Sequence, residues 1–111
     1  MTENEIGKIV VDAAVKVHMA LGPGLLESVY EVVLAHKLGK SGLGVDRQVP
    51  IPIEFEGFRV NLVVEEKVTA AHKKQIQTYL RLTGCKLGYL LNFGEALMKH
   101  GITRAVNNLE E

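Results

Sequence analysis

Tryptophan is absent from this chain, aromatic residues make up only 5% of it, and cysteine occurs once. With so little aromatic bulk, a core has to be built from Val, Leu, Ile and Ala. A lone Cys85 excludes an internal disulfide, and with no CxxC mate and no nearby Asp/His pattern nothing marks it as a nucleophile. Sparse cysteine fits a reducing compartment. No apolar run approaches the ~20 residues that span a bilayer, which excludes a transmembrane helix. The opening Met-Thr-Glu-Asn-Glu does not read as a signal peptide, so a cytoplasmic location with no membrane partner is expected. His18, His36, His72 and His100 have neither the i,i+4 spacing nor the cysteine partners of a zinc site. Gly22, Gly24, Gly39, Gly42 and Gly44 are not followed by Gly-Lys-Ser/Thr, which excludes a phosphate-cradling P-loop.

What is present fits one soluble-type globular domain over residues 1–111, with 47% hydrophobic and 23% charged residues. The net charge is zero but unevenly spread. Residues 1–66 hold six Lys/Arg against ten Asp/Glu, and residues 67–111 hold seven against three. The basic C-terminal half could attract a polyanion or an acidic half of another copy; the alternative is two solvated faces of opposite sign.

Ile6, Ile9, Val10, Ala13, Ala14, Val17 and Leu21 recur at helical spacing, and Thr2-Glu-Asn-Glu5 has the form of a capping box. Gly22-Pro23-Gly24 ends this helix. A second helix carries Leu26, Val29, Tyr30, Val33, Leu34 and Leu38 on one stripe. From Val45 to Glu56 the period becomes two, which predicts a single half-buried strand; Pro50 and Pro52 make it an edge or an irregular one. Glu56-Gly57 reads as a turn into a second strand over Phe58–Val64. Thr69 is a candidate N-cap for a third helix with its stripe at His72, Ile76, Tyr79, Leu80 and Thr83, closed by Gly84. Lys86 to Phe93 is a continuous apolar run, as expected of a strand buried on both faces. A helical turn is expected over Ala96–Met98, and a last short strand at Ile102, Arg104 and Val106. The order α-α-β-β-α-β(-β) predicts an α/β (α+β) fold, a small mixed β-sheet flanked by helices.

Gly24-Leu-Leu-Glu27-Ser-Val-Tyr30 matches the signature of the GxxExxY protein family. Val17-His18, Leu21-Gly-Pro-Gly24, Arg47-Gln-Val-Pro50, Tyr79-Leu-Arg-Leu-Thr-Gly84 and Leu90-Leu-Asn-Phe-Gly94 resemble the same family in the same order. Members of that family look like reduced PD-(D/E)xK nucleases, a restriction-endonuclease-like fold. There a helix glutamate, a strand aspartate and a following Glu-x-Lys gather around Mg²⁺ or Mn²⁺, which activates water and neutralises developing phosphate charge. Gln75-Ile-Gln-Thr-Tyr79 also resembles the Q-x-x-x-Y element of exonuclease-like branches.

Carried over residue by residue, the resemblance gives Glu27 as the helix glutamate and the one metal ligand of an active version. It gives Asn61, in Arg59-Val60-Asn61, where the aspartate is expected, and Glu65 with Lys67 as the remnant Glu-x-Lys positions. Tyr30, Gln75, Tyr79, Lys73 and Lys74 become candidate binding residues. The strand that should carry Glu-x-Lys looks deleted, because Val64-Glu-Glu-Lys-Val68 runs straight into Thr69-Ala-Ala-His72. On one strand, Asn61 and Glu65 would have Cα atoms ~13 Å apart, too far for two ligands of one cation. The resemblance therefore implies a degenerate, inactive nuclease-like protein that needs no cofactor and binds nucleic acid or protein; the alternative is a Mg- or Mn-dependent nuclease. Loss of one strand allows two arrangements. Either Phe58–Val64 and Lys86–Phe93 join as a parallel β-α-β crossover, or an open sheet edge remains through which the chain forms a homo-oligomer.

Overall fold

The computed structural model describes residues 2–65 and 67–110. Helix α1 spans Glu3–Leu21 and α2 spans Glu27–Lys40. Strands β1 (Gly44–Val45), β2 (Ile51–Phe55) and β3 (Phe58–Glu65) follow, then helix α3 (Ala70–Thr83), strand β4 (Leu87–Asn92), a 3₁₀ turn at Met98–His100 and strand β5 (Ile102–Val106). The fold is thus the expected α+β arrangement of helices around one small mixed sheet.

Both capping boxes come from threonines whose hydroxyls accept the third helical N–H. Thr2 Oγ1 accepts from the Glu5 amide at 3.3 Å while Glu5 Oε1 accepts from the Thr2 amide at 3.3 Å. Thr69 does the same with His72, whose Nδ1 accepts from the Thr69 amide at 3.1 Å. Such caps satisfy donors that a helix start otherwise leaves free. Glu56 and Gly57 both have positive φ, the geometry that a tight two-residue hairpin needs, and they join β2 to β3.

The five strands lie in sequence order, β1-β2-β3-β4-β5, with only β3 and β4 parallel. Helices α1 and α2 cover one face, burying Ile6, Val10, Ala13, Tyr30 and Leu34 against Ile53, Val60, Leu62, Val64, Tyr89 and Leu91. Helix α3 covers part of the other, with Ile76 and Leu80 packed on Val63, Leu90, Cys85 and Ala105. Strand β4 is buried along its whole length, as its unbroken apolar run requires.

Three expectations need correction. The stretch from Val45 to Glu56 is two strands, β1 and β2, paired antiparallel to each other. Pro50 has no N–H to give a ladder, and residues 46–50 form the connection between them. The helical turn falls at Met98–His100, later than Ala96–Met98, because Leu97 is extended and caps it. Finally, no edge opens where a strand seemed missing. The β-α-β crossover closes it, so β3 pairs with β2 on one side and β4 on the other.

Candidate functional site

The C-terminal ends of parallel strands are where open α/β sheets gather ligands, because the chain diverges there to opposite faces. Here that end holds Glu65, the last residue of β3, and Asn92, the last residue of β4. Opposite Glu65 lies the start of α2. Leu26 caps that helix without a side-chain bond, and Glu27 is its first residue, where a carboxylate is favoured by the helix dipole.

The carboxyl groups of Glu27 and Glu65 meet and hydrogen-bond, with the Glu31 carboxylate close enough to act on Glu65 as well. Glu27, Glu31 and Glu65 share a cavity of about 80 Å³ with Val49, Ile51 and Leu62. On the other side, His72 Nε2 stands 3.8 Å from Glu65 Oε2. Because His72 Nδ1 accepts from the Thr69 amide, its proton sits on Nε2, facing the glutamate. Burial pushes the Glu65 carboxyl above its usual range. His72 opposes that shift, and the negative charge of Glu27, the hydrogen bond to Glu27 and the charge of Glu31 add to it. The Glu65 carboxyl therefore gives up its proton less readily than a free one, with Glu27 against it.

A raised folded-state pKa sets the sign of the pH dependence. Stability from Glu65 is complete below its unfolded value and is lost as pH rises through the folded one. Glu65→Gln keeps a donor toward Glu27 and carries no charge. Thermal unfolding of this variant is expected above that of the parent at about pH 7, with the gap narrowing toward about pH 4. An equal gap at both pH values would mean that folding does not raise the Glu65 carboxyl.

The other candidate residues are not brought to this pair. Asn61 is 1% exposed and points to the α3 face, where its Nδ2 donates to Thr83 Oγ1 at 2.9 Å. It lines a separate cleft of about 750 Å³ with Gly44, Pro52, Glu54, Arg59 and Thr83. Lys67 is exposed beyond the strand end. Tyr30 is buried, stacked on Phe93 with ring centroids 4.4 Å apart, and its hydroxyl donates to the Gly22 carbonyl and accepts from the Leu25 amide. Gln75, Lys73 and Lys74 are exposed on α3, and Tyr79 is half-buried at the flank of the α3 core. Among the described residues no group of three or more His, Cys, Asp or Glu side chains is arranged to hold a metal ion. Among the described residues no helix is long and apolar enough to cross a membrane. Glu66, the middle letter of the Glu-x-Lys triplet, lies outside the described residues.

Sequence reasoning alone did not single out Asn92 or Glu31, which the fold places at this end of the sheet. Asn92 stands in the Leu90–Gly94 tract that carries part of the resemblance, which is the one signal that pointed there.

Residues 4–105 match the profile of the PD-(D/E)XK nuclease superfamily. No curated protein and no solved structure matches the chain.

Proposed function

The chain belongs to the PD-(D/E)XK nuclease superfamily, and from that premise we propose that it is a GxxExxY-type member that has lost the Glu-x-Lys strand and works as a nucleic-acid-binding module without hydrolysing its ligand. One observation carries this reading. Asn61, at the position of the expected aspartate, faces α3, whereas Glu27 and Glu65 meet at the other end of the strand. The position at which the family's aspartate is expected therefore does not join the two glutamates that meet. The chain leaves β3 for α3 with only residues 66–69 between them, which supports a deletion rather than a rearranged strand.

The donor set does not fit a magnesium-like ion. Hard divalent cations take six or more oxygen ligands and favour carboxylates that are fully ionised. Burial and the neighbouring carboxylates disfavour the ionised form of Glu65 that such an ion would need, and Asn61 is turned away. The nuclease reading keeps one observation in its favour, that Glu65 reaches Glu27 at all. No hydrolytic step follows from that contact alone.

For binding, the supports are the fold and the charge on α3. Lys73, Lys74 and Arg81 are exposed along that helix, within the half of the chain that carries seven cations against three anions. Contacts to a phosphate backbone release counterions, so affinity falls steeply with salt. Filter retention of single- and double-stranded DNA is expected to drop by about tenfold or more per few-fold rise in salt if three or more phosphates are contacted. Retention that is absent at low salt, or flat across the series, would sink the proposal and leave a protein-binding or self-associating role.

A further inference from the structure

On the face that carries α3, beyond the helix start, a pocket of about 200 Å³ is walled by Val68, Lys73, Asn92, Glu95, His100 and Thr103. It is far below the roughly 300–1,000 Å³ of small-molecule sites. At about 30 Å³ per water, it has room for one compact polyatomic ion and its hydration.

Asn92 gives the pocket its chemistry. Its Oδ1 accepts from the Gly94 amide at 2.9 Å, which fixes the orientation of the carboxamide and turns Nδ2 the other way. That amino group donates to nothing among the described residues, although Asn92 is only 9% exposed. No fully buried side-chain nitrogen or oxygen among the described residues lacks a partner, so Nδ2 keeps contact with solvent, on a residue that lines the cavity. A donor with no protein partner on a mostly buried residue is available to a ligand that accepts.

The surroundings narrow the ligand further. Lys73 supplies a positive charge, Thr103 a hydroxyl and His100 an imidazole. Glu95, exposed at the rim, is the single carboxylate among the lining residues and opposes an anion. The floor is held in register with the sheet: the Asn92 amide donates to the Gly101 carbonyl at 2.7 Å. Gly101 has to be glycine, because a Cβ there would run into the Asn92 carbonyl. Donors set on a fixed backbone around a small cavity match a tetrahedral oxyanion.

We infer that this pocket binds a single phosphate group, and that it is one of the points at which the chain holds nucleic acid. The inference rests on the binding role proposed above and assigns it a site. The phosphate could be a chain end or an internal phosphodiester, since both present the same acceptor oxygens.

The test uses the full ¹⁵N-labelled chain titrated with inorganic phosphate. The Asn92 side-chain amide resonances are expected to shift saturably. Asn92→Asp keeps an oxygen for the Gly94 amide but replaces the donor with a charge, and should weaken phosphate binding roughly tenfold or more. Glu95→Gln should strengthen it. Unshifted Asn92 resonances, an Asn92→Asp variant that binds phosphate as the parent does, or a Glu95→Gln variant with unchanged affinity would each overturn the pocket. DNA retention by the same proteins is read separately. Retention that survives a failed pocket leaves the binding role standing, and phosphate binding without any DNA retention overturns that role while keeping a small-anion site. Comparing an oligonucleotide with and without a 5′-phosphate assigns the source. If Asn92→Asp weakens only the phosphorylated strand, the pocket takes a chain end; if it weakens both alike, it takes the backbone.

Discussion

Tyr30→Ala is expected to lower the stability of the fold by about 3–5 kcal/mol, a large part of the ~5–15 kcal/mol available to a domain of this size. Tyr30 is 2% exposed and lies nearly parallel to the Phe93 ring, with an interplanar angle of 8°. Its loss leaves a cavity between α2 and the end of β4 that a rigid sheet cannot fill. Tyr30→Phe separates packing from hydrogen bonding. The hydroxyl ties the Gly22 carbonyl and the Leu25 amide across the α1–α2 junction, so its removal should cost about 1–3 kcal/mol. Urea unfolding midpoints of the two variants measure both effects. A Tyr30→Phe protein as stable as the parent would mean that the junction holds itself without the hydroxyl. That result would matter for the site too, because Glu27 begins the helix this junction aims.

Asn61→Asp comes next in size, and it also asks whether restoring the family's aspartate restores its chemistry. Thr83 Oγ1 receives the Asn61 amide proton at 2.9 Å and gives its own proton to the Tyr79 carbonyl at 2.7 Å. An aspartate cannot donate into that arrangement. Nearby Arg59 is already 3.5 Å from Glu54 and half-exposed. The new carboxylate would thus be buried with little compensation, at a cost of about 3 kcal/mol at neutral pH. The loss should shrink as the medium is acidified and the group takes up a proton, since burial raises its pKa. No metal-dependent cleavage should accompany the substitution, because position 61 faces away from Glu27. A variant as stable as the parent at neutral pH would show that a charge is tolerated there, and the case for a dismantled site would weaken.

Much of the architecture is legible in local chemistry. Thr2 and Thr69 announce their helices because a hydroxyl three residues before a free amide has a single short-range use, and Glu56-Gly57 announces a hairpin because few pairs accept positive φ. The fully apolar Leu87–Leu91 run identifies a strand covered on both faces. What escaped depends on partners distant in sequence. The division of 45–56 into β1 and β2 shows up only when Gly44 is seen opposite Glu54. The same holds for the choice between an open edge and a crossover, which is settled by β3 pairing with β4 across α3. Letters alone located Glu27 and Glu65, yet their contact comes from two elements on different sides of the strand end. The resemblance put Asn61 where an aspartate is expected; which face Asn61 occupies required the register of β3.

The most direct measurement is the simplest. Purified protein incubated with single- and double-stranded DNA in the presence of Mn²⁺ should leave both substrates intact, because no aspartate joins Glu27 and Glu65 and burial disfavours the ionised form of Glu65. Cleavage that appears with the parent protein and vanishes in Glu27→Ala would contradict that directly and make this chain an enzyme.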